Sequence, residues 1–254
     1  MNAGNVFRAY DIRGVVDRDF NAEWVTHLGK ACGTYLAGRG ISSAVIGYDC
    51  RHSSPAYHDA LVEGILSTGT DVISIGMVPT PALYFAVKHL NRQGGVMITA
   101  SHNPPEYNGY KVYDHTGGQI VSEFARRVSE AIASVDPFDG VRRSSLEEGL
   151  QNGSIEYLTQ EFIDGYIEAV LRLQLEPGIF RKSGLKIAYS PLNGAGHKSV
   201  IAALSRAGLE EIYVVADQSR PNGDFPTCPS PNPENPDTMK MTLDLGRYIQ
   251  ADIA

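Results

Sequence analysis

The sequence alternates between short apolar runs and longer amphipathic segments, and this alternation limits the choice of fold more than any other feature. An apolar run at residues 44–48 is typical of a strand. Ser54 and Pro55 then offer an N-cap and a proline at the first position of a helix. Strands are predicted again at residues 71–75 and 95–99, with a helix beginning at Thr80 between them. Such alternation with short links predicts a mainly parallel sheet covered by helices.

A polar, turn-rich stretch at residues 136–154 interrupts the pattern, which then resumes. We therefore predict two successive similar α/β domains with mixed, mainly parallel sheets, at residues 1–150 and 155–254. Further helices are predicted at residues 124–132, 162–173, 195–204 and 239–249, strands at 185–189 and 212–215, and a loop at 220–236.

The last four residues resemble the opening of a strand directly after a helix. A half-made strand leaves the hydrogen-bonding groups of its neighbour unpaired. We therefore expect the chain to be a fragment whose second domain is incomplete.

Composition excludes several classes of function. The formal net charge is −7 and no run of Lys or Arg occurs, which disfavours a nucleic-acid partner. No apolar run reaches membrane-spanning length, and residues 1–5 do not resemble a signal peptide. The three cysteines are far apart and form no Cys-x-x-Cys pair, as expected for reduced thiols in the cytoplasm. We expect a cytoplasmic protein without a membrane or nucleic-acid partner, and the oligomeric state is unknown.

Residues 99–111, Thr-Ala-Ser-His-Asn-Pro-Pro-Glu-Tyr-Asn-Gly-Tyr-Lys, concentrate reactive side chains after a predicted strand. Turns at residues 103–105 and 108–109 predict a stiff loop that carries Ser101, His102 and Lys111. Open α/β sheets place their ligands at the carboxyl ends of strands. This arrangement suits a nucleophile that must be held still.

Chemistry alone leaves two interpretations of Ser101. A serine after a strand usually bonds its own backbone in a turn. As a nucleophile it needs a base or a cation, and His102 and Lys111 are chemically able to help. The Gly-x-Ser-x-Gly motif of hydrolases is absent, because Ala100 and His102 flank Ser101.

Residues 99–104, followed by Asn108-Gly109-x-Lys111, resemble the phosphoserine loop of the α-D-phosphohexomutase family. Residues 7–14, Phe-Arg-Ala-Tyr-Asp-Ile-Arg-Gly, resemble its amino-terminal segment in the form typical of the phosphomannomutase/phosphoglucomutase type. The motifs Gly47-x-Asp49-x-Arg51-x-Ser53-Ser54 and Pro79-Thr80-Pro81 also fit, in the family's order. The resemblance covers essentially the whole chain and indicates the amino-terminal portion of such an enzyme.

This resemblance implies interconversion of hexose 1-phosphate and hexose 6-phosphate through a phosphoserine and a bisphosphorylated sugar. The amino-terminal motif points to mannose or glucose phosphates, since glucosamine phosphate mutases more often begin Gly-Thr-x-Gly-Ile-Arg-Gly. The family binds Mg²⁺ between the seryl phosphate and three aspartates. Those aspartates lie in an Asp-x-Asp-x-Asp-Arg loop that would follow Ala254, so only Ser101, through its phosphate, would contact the metal in this chain. We expect the chain alone to be inactive. One alternative is a non-catalytic truncated protein that binds sugar phosphates or a partner. Another is a side activity in which the seryl phosphate is slowly lost to water.

The resemblance also assigns roles to individual residues, each beside a simpler interpretation. Arg13 corresponds to a family arginine that contacts the seryl phosphate and the substrate; the simpler interpretation is a surface salt bridge. Lys111 corresponds to an acid/base near the sugar hydroxyl, or it is a solvated lysine at a strand edge. His102, beside the catalytic Ser101, orients the loop or transfers a proton. Tyr10 corresponds to a substrate-binding tyrosine, or it is a packed aromatic residue.

Overall fold

The computed structural model describes residues 6, 11–120, 126, 130, 145–228 and 230–254. The chain divides into two compact units. The first contains Met1–Ser101 and Glu106–Leu158, and the second contains His102–Pro105 and Thr159–Ala254.

The first unit is built on a six-stranded sheet with the strand order β1-β5-β4-β2-β3-β6. The strands are β1 (Ile12–Val15), β2 (Ser43–Tyr48), β3 (Asp71–Met77), β4 (Gly94–Ile98), β5 (Tyr107–Asp114) and β6 (Ile155–Tyr157). The helices are α1 (Ala22–Ala37), α2 (Ser54–Leu66), α3 (Thr80–His89) and α4 (Leu146–Asn152).

The pairing within this sheet is mixed and mainly parallel, which confirms the predicted fold class. Strand β2 pairs in parallel with β3 and β4, and β3 pairs in parallel with β6. Strand β5 is antiparallel to both of its neighbours, β4 and β1. Since β2 and β4 run the same way, the loops after them leave the sheet at the same edge.

A hydrophobic core of the first unit is formed by buried residues of the sheet and of the helices α1 and α2. An aromatic group is centred on Phe20, whose ring centroid lies 5.6 Å from Trp24, 5.5 Å from Tyr57 and 5.9 Å from Tyr110. Phe20 and Tyr110 are almost wholly buried. Burial of Tyr110 in this cluster fixes β5 against the helices.

Strand β5 contradicts the predicted course of residues 99–111. Asn108 and Gly109 lie inside the strand and not in a turn, and Lys111 lies on the strand and not on the loop. The prediction was wrong because an Asn-Gly pair favours a turn only where no neighbouring strand takes up its backbone groups. Here the Gly109 carbonyl accepts a hydrogen bond from the Thr99 N–H at 2.8 Å.

The predicted helix at 124–132 lies mostly outside the described residues. Its described members, Arg126 and Glu130, are helical and form an i,i+4 ion pair at 2.5 Å. The predicted boundary at 136–154 also lies partly outside the described residues. Within its described part, Leu146–Asn152 form α4, and β6, which begins just after the predicted stretch, pairs with β3 of the first unit.

The second unit repeats the α/β pattern with parallel strands β7 (Lys186–Tyr189) and β8 (Glu211–Val214). Its helices are α5 (Gln160–Leu171), α6 (Ile179–Ser183), α7 (His197–Ala207) and α8 (Pro236–Ile249). The predicted strand opening at the end of the chain is present as a parallel bridge between Ile253 and Ile187. None of the described helices has the length and apolar character needed to cross a membrane.

Candidate functional site

Ser101 lies in the turn that follows β4, and its backbone holds an uncommon conformation. Its φ of 54° is in the left-handed region, which residues other than glycine seldom adopt. The Ser101 N–H donates to Thr99 Oγ1 at 2.9 Å, while the serine itself is exposed. A strained and exposed serine at the carboxyl end of a strand is typical of a functional position.

The side chain of Arg51 binds both ends of the connection between β4 and β5. Its Nη2 donates to the carbonyl oxygen of Ser101 at 3.1 Å, and its Nη1 donates to that of Tyr107 at 2.9 Å. Arg51 is only 1% exposed, and this burial lowers the pKa of its guanidinium, against the opposing charge of Asp49. One buried cation therefore fixes the two backbone positions between which the loop runs.

Asp49 and Ser54 hold the Arg51 side chain in turn. Asp49 Oδ2 accepts from Arg51 Nε at 3.2 Å, and Asp49 Oδ1 accepts from the Arg51 backbone N–H at 3.0 Å. The Ser54 hydroxyl donates to Asp49 Oδ1 at 2.6 Å. Asp49 is itself positioned by its N–H, which donates to the Ile98 carbonyl at the end of β4.

Ser53 and Ser54 bind the start of β5 and do not cap α2 with their side chains. Ser53 occupies the N-cap position without a side-chain capping bond, and Ser54 is the first residue of the helix. Both hydroxyls instead accept from Asn108 Nδ2, at 2.8 and 3.0 Å. The predicted N-cap at Ser54 was therefore wrong by one position, because contacts across the sheet replaced the local bond.

Arg13 and Lys111 lie on one face of neighbouring strands. Arg13 of β1 faces Gly109 of β5, and Lys111 follows Gly109 by two residues, so its side chain leaves the sheet on the same face. Arg13 Nη2 donates to Asp11 Oδ2 at 2.5 Å. Burial lowers the pKa of Lys111, the charge of Asp11 opposes this effect, and the charge of Arg13 adds to it.

Gly109 permits the close approach of the strands that carry these side chains. A Cβ built on Gly109 would lie 2.3 Å from the Ile12 carbonyl oxygen and 3.1 Å from that of Thr99. No side chain can be accommodated at these distances without movement of the backbone. Glycine at this position therefore brings Arg13 of β1 and Thr99 after β4 to either side of β5.

The structure gives less information on His102 and Tyr10, the other two predicted site residues. His102 is exposed, and within the second unit its carbonyl accepts from Ser230 Oγ at 3.0 Å. Tyr10 lies outside the described residues. Thus Arg13 and Lys111 lie on one face of adjacent strands and Ser101 lies in the turn after β4 of the same sheet, and the roles of all five residues stay predictions.

Sequence reasoning assigned no role to Asp49, Arg51 and Asn108, which build the support of the Ser101 turn. The signal for the first two was available, since Gly47-x-Asp49-x-Arg51 was recognised as a motif. The backbone acceptors of Arg51 lie 50 and 56 residues further along the chain, and spacing along the chain cannot reveal those.

The described residues do not fit a complete Mg²⁺ site. None of their His, Cys, Asp and Glu side chains form a group of three or more that could hold a metal ion. Mg²⁺ requires a set of oxygen ligands in near-octahedral geometry. The contact of Ser101 with the metal, through its phosphate, stays a prediction.

The chain matches the models of one protein family over most of its length. The family model for phosphoglucomutase/phosphomannomutase alpha/beta/alpha domain I matches residues 4–138, and the model for domain II matches residues 164–254. A phosphoglucomutase/phosphomannomutase from Thermococcus kodakarensis is 34% identical over 252 residues, which cover 98% of this chain and 52% of the relative. A phosphomannomutase/phosphoglucomutase from Pseudomonas aeruginosa is 31% identical over 249 residues, which cover 98% of this chain and 49% of the relative.

A crystal structure from Thermus thermophilus, assigned as a phosphomannomutase, superposes with a TM-score of 0.79. It is 32% identical in sequence, and the match covers 94% of this chain and 51% of that one. The chain thus spans about half the length of the relatives it matches. With both domain models matched in order, the chain belongs to the phosphoglucomutase/phosphomannomutase family.

Proposed function

We propose that the protein represented by this chain interconverts hexose 1-phosphate and hexose 6-phosphate, of mannose or glucose, with Ser101 as the carrier of the phosphoryl group. The observation that carries this proposal is the Ser101 turn. The serine is exposed at the carboxyl end of β4, in a left-handed conformation that is fixed through its own N–H and C=O. Phosphoryl transfer depends mainly on positioning and on charge stabilisation, and a fixed serine in a sheet that carries Arg13 and Lys111 on one face supports this proposal.

The proposed reaction begins with phosphate on Ser101. A hydroxyl of the hexose monophosphate attacks this phosphorus, the bond to Ser101 Oγ breaks, and a sugar bisphosphate forms. The other phosphate of the bisphosphate is then transferred back to Ser101 Oγ. The product is the isomeric hexose monophosphate, and the phosphoserine is restored with no net consumption of phosphate.

Lys111 is proposed to move the proton in each transfer. A lysine whose pKa is lowered by burial has a larger neutral fraction, and the neutral amine can accept the proton of the attacking hydroxyl. The resulting ammonium can return a proton to the leaving oxygen.

Arg13 is proposed to bind the phosphoryl oxygens, because its planar fork matches phosphate geometry. Asp11 holds this fork before substrate arrives. His102 is proposed to orient the loop that carries Ser101.

We further propose that the cofactor is Mg²⁺ and that the protein acts in the cytoplasm. When bound, Mg²⁺ supplies positive charge that offsets the negative oxygens of the transferred group. Because the described residues contain no cage for it, we expect the chain alone to lack turnover.

A hybrid enzyme tests the proposal. Residues 1–254 are joined to the half of the Thermococcus kodakarensis relative that this chain does not span, and mutase activity is assayed on mannose 1-phosphate and glucose 1-phosphate. We expect turnover by the hybrid, its loss in Ser101→Ala, and none by the chain alone. Ser219→Ala is the matched control. Ser219 is partly exposed, and its hydroxyl donates to the nearby Ala216 carbonyl.

Two results would contradict the proposal. Full activity of the Ser101→Ala hybrid would exclude a phosphoserine at this position. Tight binding of hexose phosphates by a folded hybrid without any turnover would favour a non-catalytic sugar-phosphate-binding protein.

A further inference from the structure

We propose that Arg51 is a positioning residue for phosphoryl transfer: its guanidinium holds the carbonyl oxygens of Ser101 and Tyr107 together and so fixes the direction in which the Ser101 hydroxyl faces. This inference rests on the proposed function of Ser101. The residue follows β2, whereas its two acceptors lie before and after the loop at residues 102–106. Arg51 thus joins the two ends of this loop through its bonds to the Ser101 and Tyr107 carbonyls.

The geometry requires an arginine and not merely a positive charge. Three separate nitrogens of one guanidinium serve three acceptors: Nη1 the Tyr107 carbonyl, Nη2 the Ser101 carbonyl, and Nε the Asp49 carboxylate. The rigid planar fork fixes the directions of all three bonds at once. A lysine ammonium is a single point on a flexible stem and cannot span acceptors placed around a plane.

The surroundings of Arg51 favour a precise role over general stabilisation of the fold. A buried cation loses its hydration, and the lowered pKa of Arg51 reflects that cost. Asp49 offsets part of this cost, and Ser54 in turn fixes Asp49. These polar contacts converge on two backbone carbonyls that flank the serine turn.

The consequence for Ser101 follows from its two backbone bonds. Thr99 Oγ1 accepts its N–H, and Arg51 binds its C=O. With both peptide groups held and φ fixed at 54°, the side chain leaves the backbone in a set direction. Loss of the Arg51 contact frees the carbonyl side, and the seryl oxygen then samples directions that are not in line for transfer.

The test uses the 254-residue chain with phosphoserine genetically encoded at position 101. The ³¹P resonance of the phosphoserine and the amide exchange of residues 99–109 are measured in the unaltered chain and in Arg51→Lys. The control is Arg39→Lys in the same unit, an exposed arginine that donates to the Tyr35 hydroxyl and lies over its ring. We expect the phosphate resonance of the unaltered chain to be distinct from that of the urea-unfolded chain.

In Arg51→Lys the resonance should move at least halfway to the unfolded position. The loop amides should exchange about 10- to 100-fold faster, as expected for loss of hydrogen bonds from a charged donor. Amides of β2 and β4 should stay protected, and Arg39→Lys should change neither readout.

An unchanged ³¹P resonance and unchanged loop exchange in Arg51→Lys would overturn the inference, since charge alone would then suffice. If Arg51→Lys fails to fold, Ser54→Ala replaces it. This variant removes the bond to Asp49 and the bond that Ser54 accepts from Asn108, keeps every charge, and should shift both readouts in the same direction by a smaller amount. Ser53→Ala, which loses only a bond from Asn108, is its control and should change neither readout. No shift in folded Ser54→Ala would also overturn the inference.

The two proposals fail in different ways. Mutase activity in the Ser101→Ala hybrid would refute the phosphoserine and leave the ³¹P result standing. A mobile phosphoserine in the unaltered chain would refute positioning by Arg51 and leave the hybrid result standing.

Discussion

Replacement of Gly109 by alanine should displace β1 from β5 and with it Arg13. The added Cβ would lie 2.3 Å from the Ile12 carbonyl oxygen and 3.3 Å from Arg13 Cα. Carbon and oxygen rest about 3.3 Å apart even in the close contacts between strands, so β1 must move by about 1 Å. The obstacle is backbone, which a side-chain rotation cannot relieve.

The expected cost is that of overpacking, about 1–3 kcal/mol. A domain of about 150 residues loses roughly 2–4 °C in Tm per kcal/mol, so Tm of the first unit should fall by roughly 2–12 °C. The edge position of the four-residue strand β1 allows it to separate locally. The amides of Ile12–Val15 should therefore lose protection before the rest of the sheet.

Gly94→Ala is the matched control, because Gly94 lies in β4 of the same sheet. Its added Cβ would lie 3.3 Å from the flexible end of the Leu36 side chain and 3.5 Å from the Tyr113 carbonyl oxygen. Calorimetry and NMR amide exchange compare the two variants. Equal Tm values, with β1 equally protected in both, would refute the reasoning.

Three further predictions concern pH and stability. Burial lowers the pKa of His58, so the unfolded chain binds this proton at a higher pH than the folded chain does. The contribution of the neutral His58 ring to folding stability is therefore complete above about pH 6.5 and is lost as the pH falls below that value. Urea midpoints between about pH 7 and pH 5.5 should depend less steeply on pH in His58→Gln, and an unchanged slope would contradict this. The pKa of the Lys111 amine should fall in Asp11→Asn and rise in Arg13→Gln, because Asp11 raises this pKa and Arg13 lowers it. The pH dependence of Lys111 acylation measures both shifts, and shifts of the opposite sign would refute the effects assigned to these two charges. In α5, Gly165→Ala adds a Cβ with no atom within 4 Å, so it should stabilise the second unit by about 0.5–1 kcal/mol, as measured by urea unfolding. Destabilisation would contradict the open space at this position.

The sequence predicted the strands and helices whose apolar pattern is strong and local. Strands β2, β3 and β4 lie within a few residues of the predicted ranges, and helices α2 and α3 begin within one residue of the predicted starts. The parallel character of the sheet followed from their alternation. The pattern also predicted the location of Ser101 at the end of β4, because that depends only on an apolar run followed by turn residues.

The sequence did not predict the antiparallel part of the sheet. Strand β5 contains Asn108 and Gly109, which favour a turn, and it becomes a strand because β1 and β4 pair with it on both sides. Buried Asn108 is satisfied by Ser53 and Ser54, which lie more than 50 residues earlier. Such tertiary partners outweigh local preference and leave no periodic signal.

The motifs predicted which residues form the candidate site, and their roles stay predictions. The motifs did not predict the residues that support the Ser101 turn. The grouping of Arg13 with Lys111 needs the register of β1 on β5, which the sequence of a four-residue strand does not reveal. The function of Arg51 depends on contacts with two distant carbonyls. An arginine in a motif is recognisable, but its acceptors are visible only in the fold.

Transfer of labelled phosphate to Ser101 tests the central claim most directly. The hybrid enzyme is incubated with hexose 1,6-bisphosphate carrying ³²P, and the labelled residue is identified by peptide mapping. The account predicts label on Ser101, its discharge on addition of hexose monophosphate, and no label in Ser101→Ala. Turnover without label on Ser101, or equal labelling of Ser101→Ala, would contradict it.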